Sequence, residues 1–147
     1  MQKNSHKQVT LYSDGSSLGN PGPGGYGGIL EFKGKEKEFW GGEPHTTNNR
    51  MELRGVIEGL KLIKEPCDIT VISDSSYVVN AINGWLEGWI KKEFKKVKNV
   101  DLWRAYLEVA EPHNITGVWV RGHDGHEQNE RCDKLAYDEA QRQKEML

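Results

Sequence analysis

Four acidic side chains are the residues of this sequence best placed to do chemistry. Asp14 follows an apolar stretch and precedes a glycine, and Asp74 ends a second apolar stretch. Glu52 lies three residues after Asn49 in an amphipathic run, and Asp133 shares a helical face with Ala136 and Ala140. Each has an ordinary reading when taken alone: a turn aspartate, the partner of a helix cap, a helix N-cap and an exposed charge. Gly55 and Gly59 lie on the same side of the helix as Glu52, so that helix can approach its neighbour closely and bring Glu52 toward a sheet. Carboxylates that meet repel one another and hold their protons unless a cation intervenes. Such a cluster would therefore bind a divalent cation. Hard carboxylate oxygens suit Mg²⁺ or Mn²⁺, and no histidine–cysteine set here is spaced for zinc.

Whether the acids converge depends on the elements that carry them. Residues 9–12 alternate and meet Asp14-Gly15-Ser16, which predicts a strand running into a turn. The run GNPGPGG over 19–25 excludes helix and lets backbone come close to a ligand. Residues 26–32 and 36–41 predict two more strands of an antiparallel meander, with 43–47 as a linker. Residues 49–64 show helical periodicity, with Leu53, Val56, Ile57, Leu60 and Ile63 on one face and Pro66 as the stop. Residues 69–72 predict a short apolar strand ending at Ser73-Asp74. A strand–helix–strand passage implies a parallel crossover, so the fourth strand runs parallel to one of the first three. If that partner is the first strand, Asp14 and Asp74 fall at one sheet edge, where open α/β sheets bind ligands. Beyond it, 75–82 predicts a short helix, 85–98 a basic aromatic segment, 101–111 a helix ended by Pro112, and 115–120 a fifth strand. Residues 121–128 form a Gly/His loop, and 130–144 close the chain as a helix.

The 147 residues suit a single domain over 1–147, with 1–7 and 143–147 expected to fray. That length buries a core without disulfides. No apolar run approaches membrane-spanning length, and residues 1–8 hold no signal-peptide core. Cys67 and Cys132 lie far apart in no ligand pattern, so a reduced, cytoplasmic protein is the expectation. The net charge of −2 conceals an asymmetry: residues 85–104 sum to +3 and residues 124–147 to −3. A polyanion would be drawn to the first stretch and not the second.

Five strings stand in order along the chain: YSDGSSLGNPGPGGYGGIL, TTNNRMEL, ISDSSYV, VKNVDLW and VRGHDGHEQNERCDKLA. Over about residues 8–140 they closely resemble ribonuclease H type 1, the bacterial-type family. The resemblance implies an α/β ribonuclease H-like fold with a five-stranded mixed sheet of order 3-2-1-4-5 flanked by helices. It implies that Asp14, Glu52, Asp74 and Asp133 are the metal-binding carboxylates and that His123 is the active-site histidine, with His126 and Glu130 outside that set. The activity implied is endonucleolytic hydrolysis of the RNA strand of an RNA–DNA hybrid, leaving 5′-phosphate and 3′-hydroxyl ends. Two Mg²⁺ ions, or Mn²⁺ in their place, would activate a water and stabilise the leaving 3′-oxygen. His123 would assist proton transfer or product departure.

The resemblance also assigns substrate contacts. Gly15, Ser16 and Gly19, with Asn20, Asn48 and Asn49, match contacts to the RNA across the minor groove, where 2′-hydroxyls are read. Thr47 and Asn99 match residues that grip a DNA-strand phosphate. Residues 85–98 resemble a basic protrusion in which Trp85, Trp89, Lys91, Lys92, Lys95 and Lys96 meet phosphate and sugar. That handle is shorter than in the fullest bacterial versions, and ordinary core packing is the alternative for both tryptophans. Ser76 stands where the family often has glutamine, which shortens the reach into the minor groove. Asp124 puts an acid beside His123, from which a raised His123 pKa is expected. A monomer with no membrane association and no obligatory protein partner is expected. Rival readings are a non-catalytic hybrid-binding module, which would lack one of the acids, an integrase or transposase core, and a domain cut from a reverse transcriptase. TTNNRMEL and GHDGH favour ribonuclease H, and with no polymerase segment a free-standing enzyme is the expectation.

Overall fold

A computed structural model describes residues 6–122 and 126–147. Its framework is a five-stranded sheet of order β3-β2-β1-β4-β5. The strands are β1 (Lys7–Ser17), β2 (Gly22–Phe32), β3 (Lys35–Thr46), β4 (Cys67–Ser73) and β5 (Asn114–Trp119). β1 pairs antiparallel with β2 and β2 with β3, whereas β1 with β4 and β4 with β5 are parallel. This is the mixed order 3-2-1-4-5, with the fourth strand parallel to the first.

Helix α1 (Asn48–Lys61) makes the crossover from β3 to β4. Short α2 (Ser76–Asn80), a π-helical turn (Ala81–Trp85) and α3 (Leu86–Lys91) follow, then α4 (Val100–Ala110) and α5 (Glu127–Glu145). Leu11 of β1, opposite Leu30 of β2, meets α1 at Gly59, while odd-numbered Gly25 and Gly27 of β2 meet α5. Successive strand residues point to opposite faces, so α1 and α5 cover opposite sides of the sheet. The larger core lies on the α1 side, where Leu11, Leu53, Val56, Leu60, Val71 and Trp103 pack together. Trp103 is fully buried and meets the rings of Tyr77, Trp89 and Tyr106 edge-on at 5.9, 5.6 and 5.6 Å.

Several elements run further than local patterns suggest. β1 continues through Asp14-Gly15-Ser16, where a turn was expected, and β2 begins inside the glycine run at Gly22. A side chain on Gly25 would come within 2.5 Å of the Ala136 carbonyl oxygen. These glycines therefore keep the strand thin enough for α5 to lie on it, a packing demand that resembles loop composition in the sequence. β3 runs to Thr46 and absorbs the expected linker. β1 starts at Lys7, and α5 runs through Glu145 with Gln143 buried. Among the described residues, no helix is long and apolar enough to cross a membrane.

Candidate active site

The parallel register of β1 and β4 sets the site. Tyr12 lies beside Ile72, so Asp14 and Asp74, each two residues further on, leave adjacent strands at the same end. Asp14 is a strand residue, not the turn aspartate of its ordinary reading, and its Oδ1 accepts a hydrogen bond from the Gly15 N–H at 2.9 Å. A side chain on Gly15 would meet the Glu52 nitrogen at 2.3 Å, so α1 rests directly on the β1 backbone and presents Glu52 to Asp14. Gly59 makes the same approach against Leu11, the close packing expected of that helix face.

The ordinary readings of Glu52 and Asp74 do not hold. Thr47, not Asn49, caps α1: its Oγ1 accepts from the Arg50 N–H at 3.3 Å, and Glu52 is no part of the cap. Ser75, not Asp74, caps α2 by accepting from the Val78 N–H at 3.2 Å. Both carboxylates are thus left to the cluster, in which oxygens of Asp14, Glu52 and Asp74 all lie within 4.8 Å of one another.

Asp14 and Glu52 are each only 6% exposed. Burial, and then the charge of Asp74, pushes the Asp14 carboxyl up to about 8, against the weaker pull of hydrogen bonds from Glu52 and Gly15. Burial, and then the charge of Asp14, holds Glu52 well above the usual carboxylate range. Among the described residues, Glu52 Oε1 is buried with no hydrogen-bond partner. A buried polar atom without a partner is costly, and hard oxygens converging from three acids are the donor set a divalent cation takes. The residues present therefore fit a metal ion. Asp133, on the α5 face toward β2, is half-buried and contributes to the rise of Asp14, but its oxygens stand outside the close group of three. His123 lies outside the described residues, as does Asp124, whose effect on it was expected. Gly122, just before them, packs on Asp74: a side chain there would meet Asp74 Oδ2 at 2.7 Å.

A pocket of about 230 Å³ is lined by Asn20, Thr47, Asn48, Asn49, Lys98 and Asn99, so five of the residues assigned to substrate come together. Asn20 Oδ1 accepts from the Asn48 N–H at 3.1 Å and ties the glycine-rich turn to α1. Gly15 and Ser16 belong to β1, Gly19 is exposed beyond its end, and Ser76 is the exposed first residue of α2. In the basic segment the two tryptophans divide. Trp85 is 49% exposed, while Trp89 packs between it and Trp103, the core role that was its alternative reading. Lys91, Lys92 and Lys95 line a second, shallow pocket, and Lys96 is exposed beside them.

Sequence reasoning passed over three residues that serve these sites. Trp119 donates its indole N–H to the Asp74 carbonyl at 3.0 Å, Lys98 lines the asparagine pocket, and Arg50 binds Asn99. Arg50 and Lys98 stand inside the quoted strings TTNNRMEL and VKNVDLW. A tryptophan at the end of an alternating strand carries no such signal.

The family model described as RNase H matches residues 6–141. The Ribonuclease H of Sulfurovum sp. (strain NBC37-1) is 74% identical over 147 residues, covering 100% of both chains. The Ribonuclease HI of Helicobacter pylori (strain ATCC 700392 / 26695) is 60% identical over 136 residues, 92% of this chain and 95% of that one. Among solved structures, LC9-RNase H1, described as a type 1 RNase H with the type 2 active-site motif, superposes with a TM-score of 0.88 at 34% identity over 97% of this chain and 76% of that chain. LC11-RNase H1, solved in complex with RNA/DNA hybrid, has a TM-score of 0.68 at 22% identity over 91% of this chain and 97% of that chain, and speaks for the fold alone. A five-stranded sheet of this order, three acids gathered at the ends of its central strands and a match across nearly the whole sequence lead to one conclusion: the chain belongs to the ribonuclease H family, enzymes that cut RNA within RNA–DNA hybrids.

Proposed function

We propose that the chain hydrolyses the RNA strand of an RNA–DNA hybrid at the Asp14–Glu52–Asp74 cluster with two divalent ions, Mg²⁺ or Mn²⁺ in its place, leaving 5′-phosphate and 3′-hydroxyl ends. The observation that carries this reading is the buried Glu52 Oε1, without a hydrogen-bond partner among the described residues, beside two further carboxylates. Asp14, Glu52 and Asp74 would hold the ions, with Asp133 completing the set from α5. When bound, the ions supply a more acidic water as nucleophile and charge to stabilise the leaving oxygen. The protons that Asp14 and Glu52 retain without a cation leave as a cation takes their place, so binding tightens as pH rises. His123, outside the described residues, takes the proton-transfer or product-release role of its family counterpart.

Recognition is of sugar and strand geometry. Gly15, Ser16, Gly19, Asn20, Asn48, Asn49 and Ser76 face the RNA minor groove, where 2′-hydroxyls distinguish RNA from DNA. Thr47 and Asn99 grip a DNA-strand phosphate, and the handle of Trp85, Trp89, Lys91, Lys92, Lys95 and Lys96 adds charge. Trp89 then supports the handle from the core side, and the exposed Trp85 meets the sugar. The enzyme acts in the cytoplasm as a monomer: Cys67 and Cys132 are both free and buried, which suits a reducing compartment.

A cleavage assay on RNA–DNA hybrid, RNA duplex and DNA duplex, with Mg²⁺ or with EDTA, tests the reading. Cleavage confined to the RNA of the hybrid, abolished by EDTA and by Asp14→Asn while the variant still binds hybrid, is the expected result. Cleavage persisting in EDTA, or equal cleavage of all three duplexes, would overturn it.

A further inference from the structure

Thr47 and Asn99 sit at the N-caps of two different helices, α1 and α4, so something must hold them as a pair. Arg50 touches both. Its main-chain N–H donates to Thr47 Oγ1 at 3.3 Å, which occupies an acceptor site of the hydroxyl and leaves its proton to donate elsewhere. Its Nη1 donates to Asn99 Oδ1 at 3.2 Å. Asp101 grips the same guanidinium with both oxygens, at 3.0 and 2.7 Å. The other end of the Asn99 amide donates to Tyr77 Oη at 3.1 Å, and that hydroxyl also accepts from the indole N–H of fully buried Trp103 at 2.9 Å.

Asn99 is therefore held at both ends, with its oxygen committed and one amide hydrogen left to offer. Its backbone is left-handed, with φ 60° and ψ 34°, a conformation that asparagine adopts more readily than other non-glycine residues. The charge of Arg50 is already met by Asp101, and its side chain is only 27% exposed. Its service to a phosphate is orientation rather than attraction. Glu52 stands two residues beyond Arg50 on the same helix, so the grip and a metal-binding carboxylate share one rigid element.

We propose that Arg50 is a positioning residue: it locks Thr47 and Asn99 into one phosphate-gripping pair and, through α1, sets that pair at a fixed distance from the carboxylate cluster. The hybrid is then cut at a set offset from the gripped DNA phosphate. This inference rests on the reading of Thr47 and Asn99 as contacts to the DNA strand.

The test uses the full chain, Arg50→Lys and Tyr77→Phe, and hybrids in which one DNA phosphate at a time is a neutral methylphosphonate. In the wild type, one position should raise KM about tenfold or more, the worth of a hydrogen bond to a charged group, with kcat within about twofold. Both variants should show that rise in KM on the unmodified hybrid, should lose most of the methylphosphonate effect, and should spread cleavage over neighbouring phosphodiesters. Lysine keeps the charge, so Arg50→Lys behaving as wild type would overturn the proposal. So would variants that keep the full methylphosphonate penalty and the single cleavage offset. A wild type insensitive at every position would instead remove the DNA-phosphate reading on which the proposal stands. Tyr77→Phe keeps the ring against Trp103 and tests the hold on the far end of the Asn99 amide, while Arg50→Met, which keeps the stem of the side chain and none of its donors, carries the test if Arg50→Lys does not fold.

Discussion

The carboxylate cluster should make the metal-free protein less stable as pH rises, and Asp14→Asn should remove much of that loss. The Asp14 carboxyl titrates near 8 in the folded protein and at 3.8 in an unconstrained chain. Between those values the folded state binds the proton that the unfolded state has released. Stability therefore falls as pH rises through that window, by at most about 1.4 kcal/mol per unit. Across about four units the ceiling is roughly 5–6 kcal/mol, and relaxation of the site with entry of water brings it to about 3 kcal/mol. Glu52, raised in the same direction, adds to the slope. Asparagine keeps an oxygen for the Gly15 N–H and removes the charge, so in EDTA at pH 8 the variant should melt about 6–12 °C above wild type. Toward pH 4, close to the value of 3.8 that the Asp14 carboxyl has in the unfolded chain, little of that loss remains and the gap should nearly close. Mg²⁺ added at pH 8 should raise the melting temperature of the wild type and much less that of the variant, because cation binding stabilises only a site that holds it. Thermal unfolding followed by circular dichroism from pH 4 to 9, with EDTA and then with Mg²⁺, measures all of this. A variant less stable than wild type in EDTA at pH 8, or an offset that does not change with pH, would refute the reasoning.

Three further outcomes follow from the packing. Gly15→Ala places a carbon 2.3 Å from the Glu52 nitrogen, backbone that must move as a unit; chemical denaturation should show a loss of about 1–3 kcal/mol or more, with cleavage falling together with stability. Trp119→Phe removes the N–H bonded to the Asp74 carbonyl together with part of a half-exposed ring; stability should fall by about 0.5–1.5 kcal/mol, and the Mg²⁺ concentration for half-maximal cleavage should rise. Burial raises the thiol pKa of both Cys67 and Cys132, so neither should react with an aromatic disulfide reagent at pH 8 until denaturant is added, as followed by absorbance.

Much of this protein was legible in its sequence because the relevant signals are local. Alternation marked the strands, one apolar face marked α1, and the strand–helix–strand passage required the fourth strand to run parallel to one of the first three, which the structure shows to be β1. Order along the chain and residue type within the five strings carried the family, and with it the sheet order and the three acids, Asp14, Glu52 and Asp74, that the fold gathers. Tertiary structure decided what depends on groups distant in sequence. The glycine run reads as loop by composition and is strand because α5 lies on it. Asn49 and Asp74 read as caps, yet Thr47 and Ser75 take that role, since capping depends on which oxygen reaches the free N–H groups. Trp85 and Trp89 share composition and spacing, and only packing on Trp103 separates them. The partners of Arg50 and the retained protons of Asp14 and Glu52 exist only once β1, α1 and α4 meet, because hydrogen bonds and charge repulsion act through space over a few ångströms and take no account of separation along the chain.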